Sequence, residues 1–418
     1  MEYQLMWIEK KLAEKIRTGT LELHFDDGKR RIYGDGREPR ATMQVHRRRV
    51  FRRIAMDPEF MLGQTYMDGD WSPGEGGLIR LLGVLLINNP PRYRSGLKKW
   101  LSLAWRPIQQ WNRAHSARRN ASSHYDLDDW LFQGFLDEDL NYSCAYFATP
   151  DMTLEQAQQA KLNHIRRKLL VRDGERVLDI GCGWGSMAIN LAHNHDVEVV
   201  GLTLSEEQQE LARERVRQAG LENRVDIRLQ DYRDVTGRFN RVVSIGMFEH
   251  VGTPFYDQYF DRVYDLLTDD GVALIHTIGR FTPPGVTNPW IRRYIFPGGY
   301  IPATSEVMAA IERVGIRVTD IEVLRLHYAK TLSSWQQRFQ AMRERVAANK
   351  SESFCRMWEF YLAVSEAAFR WRGMMVLQLQ MARQQDAVPL TRDYLYSMQG
   401  AERPAEYPSE QYVQRQAS

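Results

Sequence analysis

The sequence has few cysteines, and they lie far apart. Cys144, Cys182 and Cys355 are the only three among 418 residues, and none belongs to a Cys-x-x-Cys pair. An odd number without close spacing argues against both a disulfide framework and a zinc site. We therefore expect a cytoplasmic protein without a structural metal.

Long hydrophobic runs are also missing. The longest apolar run, residues 78–87, contains Arg80 and is well short of the roughly 20 residues that cross a bilayer. Residues 1–19 predict an amphipathic helix, but charged residues interrupt its apolar positions, so this segment lacks the apolar core of a signal peptide. The sequence thus predicts neither a membrane span nor export.

Acidic residues are absent from residues 76–125, although the net charge of the chain is only +3. This basic stretch contains nine Lys or Arg residues, with Trp100, Trp105 and Trp111 between them. Such a composition suits an anionic membrane surface, but it would also suit a nucleic acid or a basic face that folds back on an acidic part of the chain. We favour peripheral binding to the inner face of a membrane and expect no nucleic-acid partner.

The length of the chain predicts two or three folded units. Residues 1–120 indicate a small α+β N-terminal domain, in which Asp26-Asp27-Gly28 predicts a hairpin turn between strands at 20–25 and 30–33. We assign residues 121–390 to a second domain and 391–418 to a tail, weakly ordered from about residue 385. Within the second domain we expect a helical cap from about residue 283, with a strand at 317–323 and long helices over 331–383.

Short β-branched runs alternate with helical patterns after residue 176, which is typical of a doubly wound α/β fold with a mostly parallel sheet. Ligands of such folds bind at the carboxyl ends of the strands. The expected strands are 176–180, 198–202, 225–229, 241–245 and 272–277, and the expected helices include 185–193, 205–219 and 256–267.

The first of these strands runs into a glycine-rich turn, Gly181-Cys182-Gly183-Trp184-Gly185. Glycines permit a sharp turn and a close approach of the backbone to a ligand, but nicotinamide and flavin enzymes use a related turn. Asp179 precedes the turn, where a carboxylate can reach the cationic end of S-adenosylmethionine. Ser186 stands where the dinucleotide motif requires glycine. Both residues favour S-adenosylmethionine.

The second strand ends without the acidic residue that usually binds ribose. Instead, Ser205 can cap the following helix, leaving Gln208 one turn later to reach the ribose hydroxyls. An ordinary surface helix with a capping residue would explain the presence of Ser205 equally well. It would not explain the whole sequence of residues 201–208.

Several strings occur in order between about residues 137 and 372, namely 141–147 (NYSCAYF), 178–185, 201–205, 230–234, 244–252, 276–279 and 290–298. In these strings the sequence resembles the cyclopropane fatty acid synthase family, including the mycolic acid cyclopropane synthases. The resemblance implies a Rossmann-like class I methyltransferase fold that binds S-adenosylmethionine. The cofactor residues it implies are Tyr142, Ser143, the 177–185 loop with Asp179, Gly181, Cys182, Gly183, Trp184 and Gly185, then Thr203, Leu204, Gln208, Asp231, Tyr232 and Arg233.

The resemblance also implies a bicarbonate ion beside the reacting centre. Its ligands would be the side chains of Glu249, His276 and Tyr328, with Cys144 and Ile278 acting through their backbones. The implied reaction methylates the double bond of an unsaturated phospholipid acyl chain, and bicarbonate then accepts the proton whose loss closes a cyclopropane ring. Aromatic faces can stabilise the intermediate carbocation. The candidates are Tyr142, Tyr146, Phe147, Phe248, Tyr294 and Tyr328.

Taken singly, these residues have plainer explanations. Glu249 with His250 could cap a helix, Tyr328 could be a core residue, and His276 lies in an apolar strand where a histidine is more often structural. One departure also matters, because Ser365 stands where the family often has cysteine. This leaves open a methyl-branched or methylene product. Methylation of nitrogen or oxygen in a small molecule, and a non-catalytic lipid-binding protein, are the remaining alternatives; a homodimer is compatible with the sequence.

Overall fold

A computed structural model describes residues 10–89 and 129–396. These residues form two sheets, one of four strands in the order β2-β1-β3-β4 and one of seven in the order β10-β11-β9-β8-β5-β6-β7. The strands are β1 Thr20–Phe25, β2 Arg30–Gly34, β3 Arg40–Val45, β4 Trp71–Pro73, β5 Arg176–Ile180, β6 Glu198–Thr203, β7 Val225–Leu229, β8 Phe239–Ile245, β9 Leu267–Arg280, β10 Arg317–Leu324 and β11 Met374–Ala382.

Helices cover both sheets. They are α1 Arg49–Met56, α2 Pro58–Met67, α3 Gly77–Ile87, α4 Asp129–Phe135, α5 Leu154–Leu169, α6 Ser186–Asn194, α7 Glu206–Gln218, α8 Tyr256–Leu266, α9 Pro289–Tyr294, α10 Thr304–Val314, α11 His327–Asn349, α12 Glu352–Trp371 and α13 Asp393–Tyr396.

The small sheet confirms the predicted α+β N-terminal region. β1 and β2 form an antiparallel hairpin, and Gly28 in its turn has a φ of 78°, which a residue with a side chain rarely adopts. Leu21 and Leu23 alternate with more exposed residues along β1, so one face of the sheet is buried. β3 then pairs with β1 in parallel. Residues 10–15 are helical, as the amphipathic pattern predicts.

Two glycines allow the N-terminal region to pack closely on α12 and its neighbours. A Cβ atom at Gly63 would lie 2.7 Å from both the Phe360 and Trp290 rings, and one at Gly83 would lie 2.8 Å from the Trp371 ring. These distances are too short for any other residue. The N-terminal helices and the helices over the large sheet therefore share one continuous apolar core.

The large sheet confirms the doubly wound prediction and all of the expected strands and helices up to residue 277. β9, β8, β5, β6 and β7 run parallel, and β11 is antiparallel to both of its neighbours. The chain moves outward from β5 through β6 to β7 and then returns to place β8 on the other side of β5. This change of direction opens a crevice at the carboxyl ends of β5 and β8.

The prediction of helices throughout residues 331–383 is wrong for its last part. α11 and α12 are helices, but Gly373, with a φ of 69°, turns the chain into strand β11. Eight of the nine residues of β11 are buried, so the strand lies inside the sheet and shows no polar alternation that would distinguish it from a helix. The expected cap is therefore not purely helical, since both β10 and β11 extend the sheet.

The expected weakly ordered tail from residue 385 is also wrong as far as residue 396. α13 packs against α5, Leu395 is buried, and Gln380 donates a hydrogen bond to the Tyr394 hydroxyl at 3.0 Å. These contacts fix the segment to the sheet. Residues 397–418 lie outside the described residues, as does the basic stretch from residue 90 to 125. In the described parts of the chain, no helix has the length and apolar character of a bilayer span.

Candidate active site

The glycine-rich turn lies directly beside the turn that carries Glu249. The N–H groups of Gly181 and Cys182 donate to the Leu202 carbonyl oxygen at 3.0 and 2.8 Å, which joins the turn to the end of β6. A Cβ atom at Gly181 would lie 2.9 Å from the Met247 side chain, two residues before Glu249. Glycine at 181 therefore allows these two turns to meet.

Asp179 at the end of β5 is buried beneath this turn. Its carboxylate oxygen Oδ2 has no hydrogen-bond partner among the described residues, and burial raises the pKa of the carboxyl to about 7. A buried acid without a partner is costly, and a ligand cation would offset that cost. The geometry thus fits the cationic end of a cofactor.

The end of β6 brings Thr203 and Gln208 together. The Thr203 hydroxyl donates to the Gln208 carbonyl oxygen Oε1 at 2.8 Å, and the Ser205 hydroxyl accepts the Gln208 N–H, which caps α7 as predicted. Leu204 is half-buried between them. The assignment of Gln208 to ribose stays a prediction, but its amide is fixed at the correct edge of the sheet.

An ion pair within the turn after β7, between Asp231 and Arg233, stabilises that turn. Asp231 accepts hydrogen bonds from the Arg233 N–H at 3.0 Å and from its guanidinium at 2.8 and 2.6 Å, and that guanidinium lies 5.5 Å above the Tyr232 ring. Burial raises the pKa of Tyr232 to about 12. The turns after β5, β6 and β7 therefore hold all the predicted cofactor residues from Asp179 to Arg233 at one edge.

Tyr142 belongs to an aromatic cluster that also contains Tyr328, Trp335 and Tyr361. Its ring stacks on Trp335 with centroids 5.2 Å apart, and its hydroxyl lies 2.7 Å from that of Tyr361. Trp335 meets Tyr328 edge-on at 5.8 Å. Trp335 and Tyr361 are not among the residues predicted from the sequence. The spacing of seven residues between Tyr328 and Trp335, which places both on one face of α11, is a signal that could have found Trp335.

Ser143 points instead into a polar network formed by Asp137, Asn141, Ser143, Lys161 and Ser186. The Lys161 ammonium donates to Asn141 Oδ1 at 2.7 Å and to Ser143 Oγ at 3.1 Å. Ser186, the first residue of α6, donates to the same Asn141 oxygen at 2.9 Å. Lys161 was also missed, because a lysine in an amphipathic helix is normally exposed.

Glu249 contacts strand β9 through one oxygen only. Its Oε1 accepts the Ile278 N–H at 2.6 Å, while its Oε2 is buried with no hydrogen-bond partner in the described part of the chain. Burial raises the pKa of the carboxyl to about 7. Glu249 does not cap a helix through its side chain, since its bond crosses to another element. A buried carboxyl with a raised pKa and an unpartnered oxygen is a candidate for a functional group.

His276 lies two residues before Ile278 on β9 and faces Gln378 on β11. The amide nitrogen of Gln378 is 3.2 Å from His276 Nδ1, and burial lowers the pKa of His276 to about 3. The imidazole is thus neutral. If the amide donates to Nδ1, the proton lies on Nε2, which can donate to an anion. Gln378 was missed because β11 was predicted as a helix.

Cys144 and Tyr328 are brought together by two hydrogen bonds between residues 144–147 and the start of α11. The Ala145 N–H donates to Thr331 Oγ1 and the Phe147 N–H to His327 Nδ1, both at 3.0 Å. Cys144 is fully buried, and burial raises the pKa of its thiol. Tyr328 and Cys144 belong to one apolar cluster, against which Ile278 packs, and Ile278 is bonded to Glu249. The joint binding of bicarbonate by these residues and His276 stays a prediction.

The structure separates the aromatic candidates. Tyr142 and Tyr328 lie in the aromatic cluster, whereas Tyr146 is stacked between His164 and His327. The others have packing partners elsewhere: Lys330 lies over Phe147, Phe248 is enclosed by Tyr256, Tyr259 and Phe260, and Tyr294 packs on Phe60 and Trp290. Ser365 is half-buried on α12, one turn beyond Tyr361.

Comparison with known proteins identifies relatives over most of the chain. The profile of the mycolic acid cyclopropane synthetase family matches residues 112–379, and that of a domain of unknown function matches residues 8–78. The cyclopropane-fatty-acyl-phospholipid synthase of Escherichia coli strain K12 is 40% identical over 345 residues, which cover 82% of this chain and 88% of that protein. A tuberculostearic acid methyltransferase of Mycobacterium tuberculosis is 38% identical over 388 residues, covering 88% and 90%.

Solved structures agree with these relatives. The mycolic acid cyclopropane synthase CmaA1 in complex with SAH and CTAB is 36% identical and superposes with a TM-score of 0.60 over 63% of this chain and 97% of that one. The matched share corresponds to the size of the large-sheet unit, and the N-terminal region accounts for much of the remainder.

Proposed function

This chain belongs to the mycolic acid cyclopropane synthetase family, and on that premise we propose that it converts the double bond of an unsaturated phospholipid acyl chain into a cyclopropane ring. It is an S-adenosylmethionine-dependent methyltransferase. The observation that carries the finer proposal is a buried carboxyl, Glu249, whose Oε1 accepts the Ile278 N–H and whose Oε2 has no hydrogen-bond partner among the described residues.

The aromatic cluster suits a hydrocarbon acceptor. An alkene is a weak nucleophile, so its attack on a sulfonium methyl group depends on close alignment and on exclusion of water. Tyr142 and Trp335 present stacked rings beside the cofactor edge of the sheet, and such faces stabilise a passing positive charge. An acceptor nitrogen or oxygen would need polar side chains in this place, which disfavours the small-molecule alternative.

Ring closure requires loss of a proton from the transferred methyl group. Bicarbonate, when bound, supplies a base for this proton. The residues present fit such an anion, because His276, with its Nδ1 facing the Gln378 amide, can offer an Nε2–H donor, and Glu249 Oε2 has no partner among the described residues. We propose that Glu249, His276 and Tyr328 hold it, together with the backbones of Cys144 and Ile278.

The cofactor would occupy the carboxyl edge of the large sheet. We propose that Asp179 and Ser143 bind its methionine end, that Thr203, Leu204 and Gln208 contact the ribose region, and that the turn 231–233 contacts the base. The three turns are already fixed by internal hydrogen bonds, so little ordering is needed on binding.

The phospholipid part of the proposal rests on the name of the Escherichia coli relative and on the basic stretch 76–125. Lysine and arginine attract the anionic inner face of the membrane, and tryptophan settles at the headgroup boundary. The protein would then act while attached to the membrane surface.

A transfer assay tests the proposal. Purified protein is incubated with labelled S-adenosylmethionine, with and without bicarbonate, and with vesicles of unsaturated phosphatidylglycerol, and the fatty acids are then analysed by mass and proton NMR. We expect a gain of one CH₂ with loss of the olefinic protons, stimulated by bicarbonate. Binding of the cofactor without any transfer to lipid would refute the enzyme proposal for this substrate.

A second product is favoured by one specific observation. The relative that covers the largest share of this chain among those described is named a tuberculostearic acid methyltransferase, and Ser365 replaces the cysteine frequent in the family. In the same assay, a product that gains one CH₂ and still shows olefinic protons, including those of a new exocyclic methylene group, would identify methylenation rather than ring closure.

A further inference from the structure

Lys161 is a buried charge that the mechanism above does not use. It lies on α5 with 1% of its surface exposed, and burial lowers its pKa to about 8, so most of the ammonium is still protonated at pH 7. Lysine is almost never fully buried unless it is paired. The placement of this charge beside the cofactor edge therefore requires an explanation.

Its hydrogen bonds connect the two segments that frame the methionine end of the site. Lys161 Nζ donates to Asn141 Oδ1 and to Ser143 Oγ, and Asn141 also receives a bond from Ser186, immediately after the glycine-rich turn. Asp137 accepts the Asn141 amide at 2.7 Å, which fixes the orientation of that amide. Lys161 is thus the central donor of the polar network.

Three polar groups near Lys161 have no protein partner within residues 10–89 and 129–396. The Ser143 hydroxyl accepts a hydrogen bond from Lys161, but its own proton has no acceptor among these residues. Lys161 uses two of its three ammonium N–H groups, so one N–H donor is left. Asp179 Oδ2 accepts no hydrogen bond within the same ranges. Lys161 is the charged group that acts on Asp179. Two donors and one acceptor in a buried place match a zwitterion, and the amino-acid end of S-adenosylmethionine is one.

We propose that Lys161 is a positioning residue for the amino-acid end of S-adenosylmethionine. Lys161 donates a hydrogen bond to Ser143 Oγ, so the Ser143 hydroxyl is free to donate its own proton to the cofactor carboxylate. The positive charge of Lys161 also stabilises the ionised form of Asp179, which accepts a hydrogen bond from the cofactor ammonium. The inference rests on the proposed assignment of Ser143 and Asp179 to the cofactor and is independent of the acceptor lipid.

The test compares two ligands by calorimetry on the full chain. S-adenosylmethionine carries the amino-acid end, and 5′-methylthioadenosine lacks it. For Lys161→Met we expect the Kd for S-adenosylmethionine to rise about ten- to a hundredfold, as for a lost bond to a charged group, with the Kd for 5′-methylthioadenosine unchanged. An equal rise for both ligands would mean a purely structural role and overturn the proposal, as would no rise for either.

Lys168→Met is the matched control, because Lys168 is equally buried on the same helix but pairs with Glu322. We expect it to change neither Kd. If Lys161→Met does not fold, Lys161→Gln removes the charge while keeping an N–H donor and is read in the same way. Ser143→Ala and Asp179→Asn distinguish failure of the cofactor assignment from failure of the role of Lys161. If neither variant weakens S-adenosylmethionine binding, the assignment of Ser143 and Asp179 to the cofactor is wrong. If both weaken it and Lys161→Met does not, the proposed role of Lys161 is wrong.

Discussion

The polar network and the aromatic cluster have opposite chemistry, although each contains one of two consecutive residues, Ser143 and Tyr142. Ser143 contacts the Lys161 ammonium at 3.1 Å, whereas Tyr142, one residue earlier, stacks on Trp335. The polar network contains buried charges and the cofactor edge of the sheet. The aromatic cluster consists of Tyr142 and rings from α11 and α12, and none of its members carries a charge.

This difference would allow one site to bind two ligands of opposite chemistry, a charged cofactor and a hydrocarbon acceptor. A charged cofactor needs buried charges and donors, which are stable only when they are paired or wait for a charged ligand. A hydrocarbon acceptor needs a dry surface, and rings supply one without introducing charges. Glu249 lies at the junction of the glycine-rich turn and β9, because Met247 in its turn contacts Gly181 and its own carboxyl accepts the Ile278 N–H.

The largest expected effect is at this junction. Glu249→Gln should lower kcat about a thousandfold, since it removes the carboxylate that we propose holds the bicarbonate base, while the Kd for S-adenosylmethionine stays within about twofold. Steady-state kinetics and calorimetry measure the two quantities. Glu175→Gln is the control, because Glu175 is also buried but pairs with Arg241 at 2.6 Å before β5 starts, at the opposite edge of the sheet. Full turnover by Glu249→Gln would remove Glu249 from the chemistry.

On the polar side, Asp179→Asn should raise the Kd for S-adenosylmethionine about ten- to a hundredfold while changing kcat at saturating cofactor much less. The reason is that we propose Asp179 as a residue that binds the cofactor and not the lipid. Asp226→Asn, in an exposed pair with Arg228 on β7, is the control. A loss confined to kcat would contradict the separation of the two regions.

The pH dependence of kcat should reflect Glu249. Burial raises its pKa to about 7, so the ionised fraction falls as the pH decreases below 7, and we expect kcat to fall about tenfold per pH unit below that value. His276, with a pKa of about 3, stays neutral throughout this range. The assay uses saturating cofactor, which by our proposal pairs with Asp179 and removes the titration of Asp179 from the measurement. A flat profile from pH 6 to 8 would show that the ionised form of Glu249 is not needed.

The smallest expected effect is on the aromatic side. Tyr361→Phe removes the hydroxyl that lies 2.7 Å from that of Tyr142 but keeps the ring, so we expect kcat to fall about three- to tenfold with cofactor affinity unchanged. Tyr264→Phe on α8, where the ring packs against Arg383, provides the control. An effect on cofactor affinity as large as that of Asp179→Asn would mean that the two regions are not distinct.

The sequence predicted the parallel strands and the cofactor turns accurately because both depend on local requirements. Gly181 and Gly185 have φ values of 82°, which glycine adopts readily, and β5, β6 and β7 are short strands separated by the clear helical patterns of α6 and α7. β11 could not be recognised in this way. It is buried on both faces, so its position in the sheet follows from its pairing with β9 and β10 and not from any alternation of its own residues.

Within the candidate site, the sequence by itself determined the residue types whose order and spacing matter, from Asp179 and the glycine turn to Glu249 and His276. Only the tertiary structure decided which distant groups meet them: Gln378 beside His276, Trp335 against Tyr142, and Lys161 against Ser143. The physical reason is that backbone conformation and periodicity are set by neighbours along the chain, whereas the partner of a buried polar or aromatic group is set by packing between elements far apart in sequence.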